Sequence, residues 1–450
     1  MPITRRTALK TGGVGALAAL LPPLIGPVAA QSGDLRRTLS RAYNASGAEL
    51  FKQLNGAGGN LVFSPYSIGT AMAMVLAGAR GATERQMAEA LWHSLPRTEI
   101  NKANAEVLAT LKGYDRSAAV PSCPPGLNLV GENCTRPWTE AEGCRYPARR
   151  DADACVATPV RPPSAELSVA DALMLTGRGE AISSEYRALL KQDYAAEVFE
   201  NANLGDINAW VARQTHGKIA RILDQLDPNA KAVLLNAVYF KARWAAVFSR
   251  SQTRDEPFHL TAAQAVPVPT MRQRGGYAMV ARDGYRALRM PYEIEALGLI
   301  VVLPDAVEGV AKVGAGLDEA QLSELFTALR GVPVRQVELS LPRFKIESRL
   351  ELVPLFKQVG MTLPFSDQAD FGGMTARPQE RIAISEIVHR AVIDVTEEGT
   401  EAAAATAITM MGSSMPSKIE EFRVDRPFLF YLVDDATGAI LFEGRINDPR

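Results

Sequence analysis

Glu397-Glu398-Gly399-Thr400-Glu401-Ala402-Ala403-Ala404-Ala405-Thr406, continued by Ala407-Ile408-Thr409-Met410-Met411-Gly412-Ser413-Ser414-Met415-Pro416-Ser417, carries no charge from Ala402 to Ser417 and no proline before Pro416. Alanine is the best helix former, so the segment by itself reads as a helix or an Ala-rich linker. A second pattern appears when it is split at period two. One face is Thr400, Ala402, Ala404, Thr406, Ile408 and Met410; the other is Glu401, Ala403, Ala405, Ala407, Thr409 and Met411. The first face can enter a packed sheet while Glu401 stays in water. Small side chains lower the barrier to parting two strands, and the absence of proline keeps every ladder donor. These are the properties of a strand held beside a sheet and ready to join it.

The flanking sequence offers such a sheet. Residues 232–240 form a continuous apolar run around Asn236, which suits a strand buried on both faces. Further strands are predicted over 299–303, 337–341 and 382–395. Segments 428–433 and 439–443 flank a turn containing Asp434, Asp435 and Gly438, a hairpin signal. The N-terminal half reads as helical. Ser64 is an N-cap and Pro65 a first-turn proline for an Ala/Met-rich helix that stops at Gly78. Thr83-Glu84-Arg85-Gln86 predicts a capping box for a helix reaching Leu91, and another helix is predicted over 207–223 with Asp206 as its cap. No internal repeat is visible. Helices early and antiparallel strands late argue for one α+β domain.

Composition narrows the function classes. With 47% apolar residues in 450, the chain can bury a large core. It has 49 basic and 50 acidic residues and no Lys/Arg block, so neither nucleic acid nor an anionic membrane surface is an implied partner. The four histidines (His93, His216, His259, His389) include none in a metal or hydrolase motif, and no phosphate-binding glycine loop is present. No cofactor or metal is expected, and an enzyme is not.

Residues 1–30 read as an export signal. A basic stretch containing Arg5, Arg6 and Lys10 precedes a Gly/Ala/Leu-rich run, and Val28-Ala29-Ala30 supplies small residues before a cut at Gln31. The paired arginines resemble the twin-arginine export signal of bacteria, with Ala8 standing where a large apolar residue is usual. Residues 12–25 are too short to span a bilayer and are broken by Pro22-Pro23. Without the three N-terminal cations the net charge of −1 becomes about −4. The expected location is periplasmic or extracellular. Cys123, Cys134, Cys144 and Cys155 agree with this, since an even number in an exported chain reads as two disulfides whose pairing stays open. They stand about ten positions apart, unlike the close pairs of a zinc site. All four lie in a Pro/Gly-rich window, 113–164, predicted to be a stapled surface insertion in a single domain over 31–450.

Several motifs in order resemble the serpin family of serine protease inhibitors. Asn60-Leu61-Val62-Phe63-Ser64-Pro65-Tyr66-Ser67-Ile68, running on to Gly78-Ala79-Arg80-Gly81-Ala82-Thr83, is similar to its early helices. Leu235-Asn236-Ala237-Val238-Tyr239-Phe240-Lys241-Ala242-Arg243-Trp244 is similar to its central strand. Leu341-Pro342-Arg343-Phe344, Val388-His389-Arg390-Ala391, Arg426-Pro427-Phe428-Leu429-Phe430 and Phe442-Glu443-Gly444-Arg445 complete the set. The resemblance covers residues 35–448 apart from the cysteine-bearing window.

The resemblance implies an α+β fold in which early helices pack on three β-sheets beneath an exposed reactive-centre loop. It implies a monomer whose partner is a serine protease, held as a covalent acyl-enzyme complex after the cleaved loop inserts into the sheet. About sixteen inserted residues would carry the protease roughly 50 Å. It assigns residues 397–406 to the hinge, Trp244 to the breach at the top of the sheet, and Ser64, Ser67, Asn236 and His389 to a polar shutter beneath it. The family's spacing from Glu397 places the reactive bond at Ser413–Ser414, with Met411 and Met415 as alternatives. The lack of Arg or Lys between Glu401 and Ser417 favours elastase-like, chymotrypsin-like or subtilisin-like targets. The alternative is a non-inhibitory serpin acting as carrier, chaperone or storage protein.

Overall fold

The computed structural model describes residues 32–450 except 57, 118, 120–121, 131–132, 141, 146, 158–161, 176–181, 226–229, 377–381 and 401–418. The expected signal (1–30) and the loop from Glu401 to Ser417 lie outside the described residues.

Ser64 does what its position predicts. Its Oγ accepts from Ser67 N at 3.0 Å and opens the helix Pro65–Gly78, every residue of which is buried. A helix apolar all round belongs in a core, and this one runs beneath the main sheet. The capping box is corrected. The next helix, Gly81–Ala90, starts two residues before Thr83, and its N-cap Arg80 makes no side-chain cap bond. Thr83 Oγ1 instead accepts from Asp370 N at 2.9 Å, while Gln86 Oε1 accepts from Thr362 N at 3.0 Å and from Leu363 N at 2.6 Å. Both side chains hold a distant segment rather than their own helix end. The helix predicted over 207–223 is also shorter: it spans Leu204–Gln214, capped by Asn203, whose Oδ1 accepts from Asp206 N. His216 and Gly217 take left-handed φ of +51° and +77° and stop it. Ile219, Ile222 and Leu223 keep the apolar rhythm because they remain in the same local core.

The described residues of the main sheet form six strands: β1 (Ala165–Leu175), β2 (Glu197–Glu200), β3 (Ala232–Arg243), β4 (Phe344–Glu351), β5 (Ile384–Val395) and β6 (Gly399–Thr400). Their order is β4-β5-β6-β3-β1-β2, with β5 and β3 also paired directly below β6. β3 is buried without a break from Ala232 to Phe240. It runs antiparallel to β1 and parallel to β5, from Ile384 opposite Ala232 to Val392 opposite Tyr239. Two further sheets share the long strand Gln264–Arg282. One continues through Tyr285–Pro291, Leu297–Pro304 and the predicted hairpin Phe428–Asp434/Ala439–Ile446 to Leu61–Phe63. The other carries Arg254–Thr261, Arg335–Pro342 and Glu420–Arg423. Phe240 of the main sheet packs edge-on against Tyr292 and tilted against Phe442, joining the layers.

The cysteine window adds a fourth sheet. Among the described residues it has four short strands in the order Asn128–Val130, Asn133–Pro137, Ala154–Ala157, Arg149–Asp151. Cys123 bonds Cys134 and Cys144 bonds Cys155, which resolves the open pairing. Cys134 and Cys155 are fully buried in a small core separate from the main one. Arg150 lies 3.4 Å over the ring of Trp138. The insertion is clasped at its root, where Ala165 N donates to Tyr114 O at 3.0 Å and Arg116 N to Ser164 Oγ at 2.8 Å. Each disulfide closes a loop of about ten residues, an effect of roughly 2–3 kcal/mol on this small sheet. Reduction is therefore expected to expose 117–163 to limited proteolysis while leaving the main thermal transition unmoved. A drop of the main transition under reductant would show instead that the insertion supports the body.

Candidate functional site

Three adjacent strands bring three polar side chains into one row. Asp171 of β1 and His389 of β5 stand on either side of Asn236 of β3, each in register with it. The N-terminal turn of the helix Pro65–Gly78 closes over the row. His389 Nε2 accepts from Ser64 N at 3.2 Å, so the ring hydrogen sits on Nδ1 and faces Asn236 Oδ1. With its oxygen so engaged, Asn236 donates through Nδ2 to Ser67 Oγ at 2.6 Å, to Ser67 O at 3.1 Å and to Asp171 Oδ1. Ser64, Ser67, Asn236 and His389 are all fully buried, and Asp171 is 2% exposed. Burial pushes His389 down to about 3. Both ring nitrogens are committed to hydrogen bonds, which leaves neither free for proton transfer to a substrate. The four residues grouped by resemblance thus meet in space. Asp171 is a fifth that sequence reasoning missed; its signal was a single acid inside the apolar run 169–175. Burial raises its carboxyl to about 7, against the opposing effect of the hydrogen bond from Asn236.

At the other end of β3 the chain turns back from β5 and begins a new strand. Thr396 N donates to Gly399 O at 2.9 Å and Gly399 N to Thr396 O at 3.3 Å. Gly399 has φ of +154°, and a Cβ there would meet Ala242 O at 2.0 Å, so the turn requires glycine. Thr400 then sits between Val395 and Ala242 as the first rung of β6, antiparallel to both neighbours. It is fully buried, with Oγ1 2.7 Å from Tyr292 Oη. Tyr292 stacks on Trp244 at 4.4 Å between ring centroids, and Trp244 Nε1 donates to Thr396 O at 3.0 Å. Tyr292 is a second residue the sequence did not flag, since it lies 108 positions from Thr400.

Glu397 and Glu398 are buried acids with named partners. Glu397 Oε1 accepts from Thr253 Oγ1 at 2.7 Å and its carbonyl from Phe248 N at 2.8 Å. Glu398 pairs with Arg250 at 2.7 Å, and its carbonyl accepts from Trp244 N at 3.0 Å. Of the expected hinge, Glu397, Glu398, Gly399 and Thr400 are therefore placed around Trp244. Glu401, Ala402, Ala403, Ala404, Ala405 and Thr406 lie outside the described residues, as do Met411, Ser413, Ser414 and Met415. The arrangement has two parts: a buried polar row across the middle of the sheet, and a strand begun at its end.

The family described as serpin (serine protease inhibitor) matches residues 41–133 and 142–449. An uncharacterized serpin-like protein of Thermococcus kodakarensis is 34% identical over 419 residues, covering 91% of this chain and 85% of its own length. The leukocyte elastase inhibitor of Bos taurus is 32% identical over 434 residues, covering 91% of this chain and 99% of its own. Two solved structures share the fold. Human thyroxine-binding globulin complexed with thyroxine has a TM-score of 0.73 at 24% identity, covering 92% of this chain and 99% of its own. The thermophilic serpin tengpin, in its native state, has a TM-score of 0.72 at 23% identity, covering 91% and 94%. A family match spanning both the polar row and the strand begun at Gly399, with relatives about a third identical over nine tenths of the sequence, means that this chain belongs to the serpin family.

Proposed function

We propose that this protein is an exported, single-use inhibitor of serine proteases that traps its target as an acyl-enzyme. The observation that carries this reading is Thr400, which occupies the first rung of a strand between β5 and β3 while small, uncharged residues follow it from Ala402 to Thr406. A target serine would attack the carbonyl of Ser413, releasing the amine of Ser414 and leaving an ester between the protease and Ser413. The freed end would then follow Thr400 into the sheet as β3 and β5 part, carrying the protease to the far pole. Met411 and Met415 remain the alternative bonds, and Pro416 hinders attack at Met415. In this reading 397–406 is the hinge, Trp244 holds its base, and Ser64, Ser67, Asn236 and His389 keep the sheet shut.

Two disulfides suit an oxidising compartment. Among the described residues no helix is long and apolar enough to cross a membrane. The disulfides fit export to the periplasm or medium, for which the paired-arginine segment is the assigned signal, and the monomeric state is what the family resemblance implies. A non-inhibitory carrier, chaperone or storage role would be favoured by bulky, charged or proline residues in 402–406, and this chain has none.

The test is to mix the mature protein with subtilisin, an elastase, chymotrypsin and trypsin and to look for a denaturant-resistant complex by gel and intact mass. A covalent species is expected with at least one of the first three, and the released C-terminal peptide would identify the bond. Clean cleavage by all four with no complex would replace inhibition with the non-inhibitory reading.

A further inference from the structure

Two helices, Gly81–Ala90 and Leu352–Gln358, end at one surface groove of about 440 Å³. Both finish in the same motif, in which one residue turns left-handed and two amides bond back to the last turn. After the second helix, Gly360 N donates to Lys357 O at 3.1 Å and Met361 N to Phe356 O at 2.9 Å, with Gly360 at φ of +91°. After the first, Trp92 N donates to Glu89 O at 3.1 Å and His93 N to Ala88 O at 2.9 Å, with Trp92 at φ of +59°. Tryptophan thus stands where the matching turn has glycine. Burial does not offset that conformation, since Trp92 is 60% exposed and lines the groove.

The charge around the ring has one sign. Glu89 and, from the helix Ser32–Leu54, Glu49 line the groove with it, and no Arg, Lys or His does among the described residues. The Glu89 carboxylate makes no ion pair among the described residues. Glu49 is 3.9 Å from Lys52, and both of those side chains are more than a third exposed. The two helix C-termini add partial negative charge. Gln86, also in the wall, accepts from Thr362 N and Leu363 N and so ties the first helix to the chain just beyond the second. The walls are fixed to each other before anything binds.

We propose that this groove is a docking site for an arginine side chain of a partner polypeptide. The guanidinium lies flat on the Trp92 indole and donates through its edge to the carboxylates of Glu89 and Glu49. A planar cation with its donors in the plane satisfies an aromatic face and carboxylates together, whereas a lysine ammonium is a strongly hydrated point charge. Glu89, Trp92, Gln358 and Gly360 are all exposed, so a side chain can enter while its backbone passes outside. The site does not depend on protease inhibition.

The experiment follows the indole N–H signals of the four tryptophans in the isotope-labelled mature chain as acetyl-Gly-Arg-Gly-amide is added. The Trp92 signal alone is expected to move, and to saturate. The same peptide with citrulline, which keeps the shape and loses the charge, should bind at least about tenfold more weakly, and the lysine peptide about threefold more weakly. Glu89→Gln should weaken the arginine peptide about threefold, a difference that fades in high salt. Trp92→Gly separates ligand from structure: its melting temperature should hold or rise by about 1 °C, while saturation transfer from the protein to the arginine peptide is lost. A lower melting temperature would make the tryptophan a structural residue and overturn the proposal. Equal binding of the citrulline or the lysine peptide overturns guanidinium recognition. No saturable movement of the Trp92 signal up to about 10 mM peptide removes the site.

Discussion

Thr400→Arg is expected to convert the inhibitor into a substrate, cleaved at the same bond with no stable complex. The Thr400 side chain is fully buried, hydrogen-bonded to Tyr292 beside Trp244. A guanidinium at that rung would have no water and no acid in the position of the threonine hydroxyl, a cost of several kcal/mol. The rung would be expelled, and the following residues would have to begin their strand without it. A loss of about 3 kcal/mol in the step that competes with deacylation shifts the outcome roughly a hundredfold toward hydrolysis. The measurement is the number of inhibitor molecules consumed per protease inactivated. Thr400→Val is the matched control: it keeps the shape, loses one hydrogen bond at about 1 kcal/mol, and should still trap. If Thr400→Arg traps at full stoichiometry, the inward register of 400, 402 and 404 is wrong.

Cleavage within 406–415 is expected to raise the melting temperature sharply. A nick in an ordinary surface loop leaves stability unchanged or lowers it. Here a cut would free the segment after Thr400 to continue β6 along both β3 and β5, burying Ala402, Ala404, Thr406, Ile408 and Met410 on the inner face. A net gain of about 5 kcal/mol, at roughly 1 °C per kcal/mol for a chain of this length, gives an increase of about 5 °C. Scanning calorimetry of intact and nicked protein checks this, and Thr400→Arg nicked at the same bond should gain much less. An unchanged or lowered transition in the nicked protein would mean that the intact sheet has no vacant place for another strand.

The set Ser64, Ser67, Asn236 and His389 was grouped only by the family resemblance, because members read singly give other reasons for their residue type. Ser64 caps a helix, and Asn236 interrupts an apolar strand that cannot tolerate an unsatisfied amide. Asp171 was not legible because β1 was not read as a strand. β1 follows the cysteine window, and its partner β3 begins 57 positions after β1 ends, so nothing nearby shows that the acid faces an amide. Tyr292 was hidden for the same reason, as its contact with Thr400 belongs to the packing of two sheets. The cysteines announced crosslinks but not their pairing, which is set by the small sheet that brings Cys134 and Cys155 into one core. The helix boundary at Gln214 was obscured because Ile219, Ile222 and Leu223 are buried without being helical.

The turn at 396–399 has a kinetic consequence. β5, the turn and β6 are consecutive in the chain, so lengthening β6 is the propagation of a hairpin whose loop is already closed. The loop-closure entropy that normally delays a new strand is met before any protease arrives. Register is fixed as well, because Val395 opposite Thr400 commits every later residue to one face, and a slip by one would turn Glu401 inward. Local hairpin formation takes microseconds. In the trap proposed above, the race against deacylation would be decided by how fast β3 lets go of β5, and changes to the row beneath should alter the trapping ratio more than changes of equal size in the travelling segment.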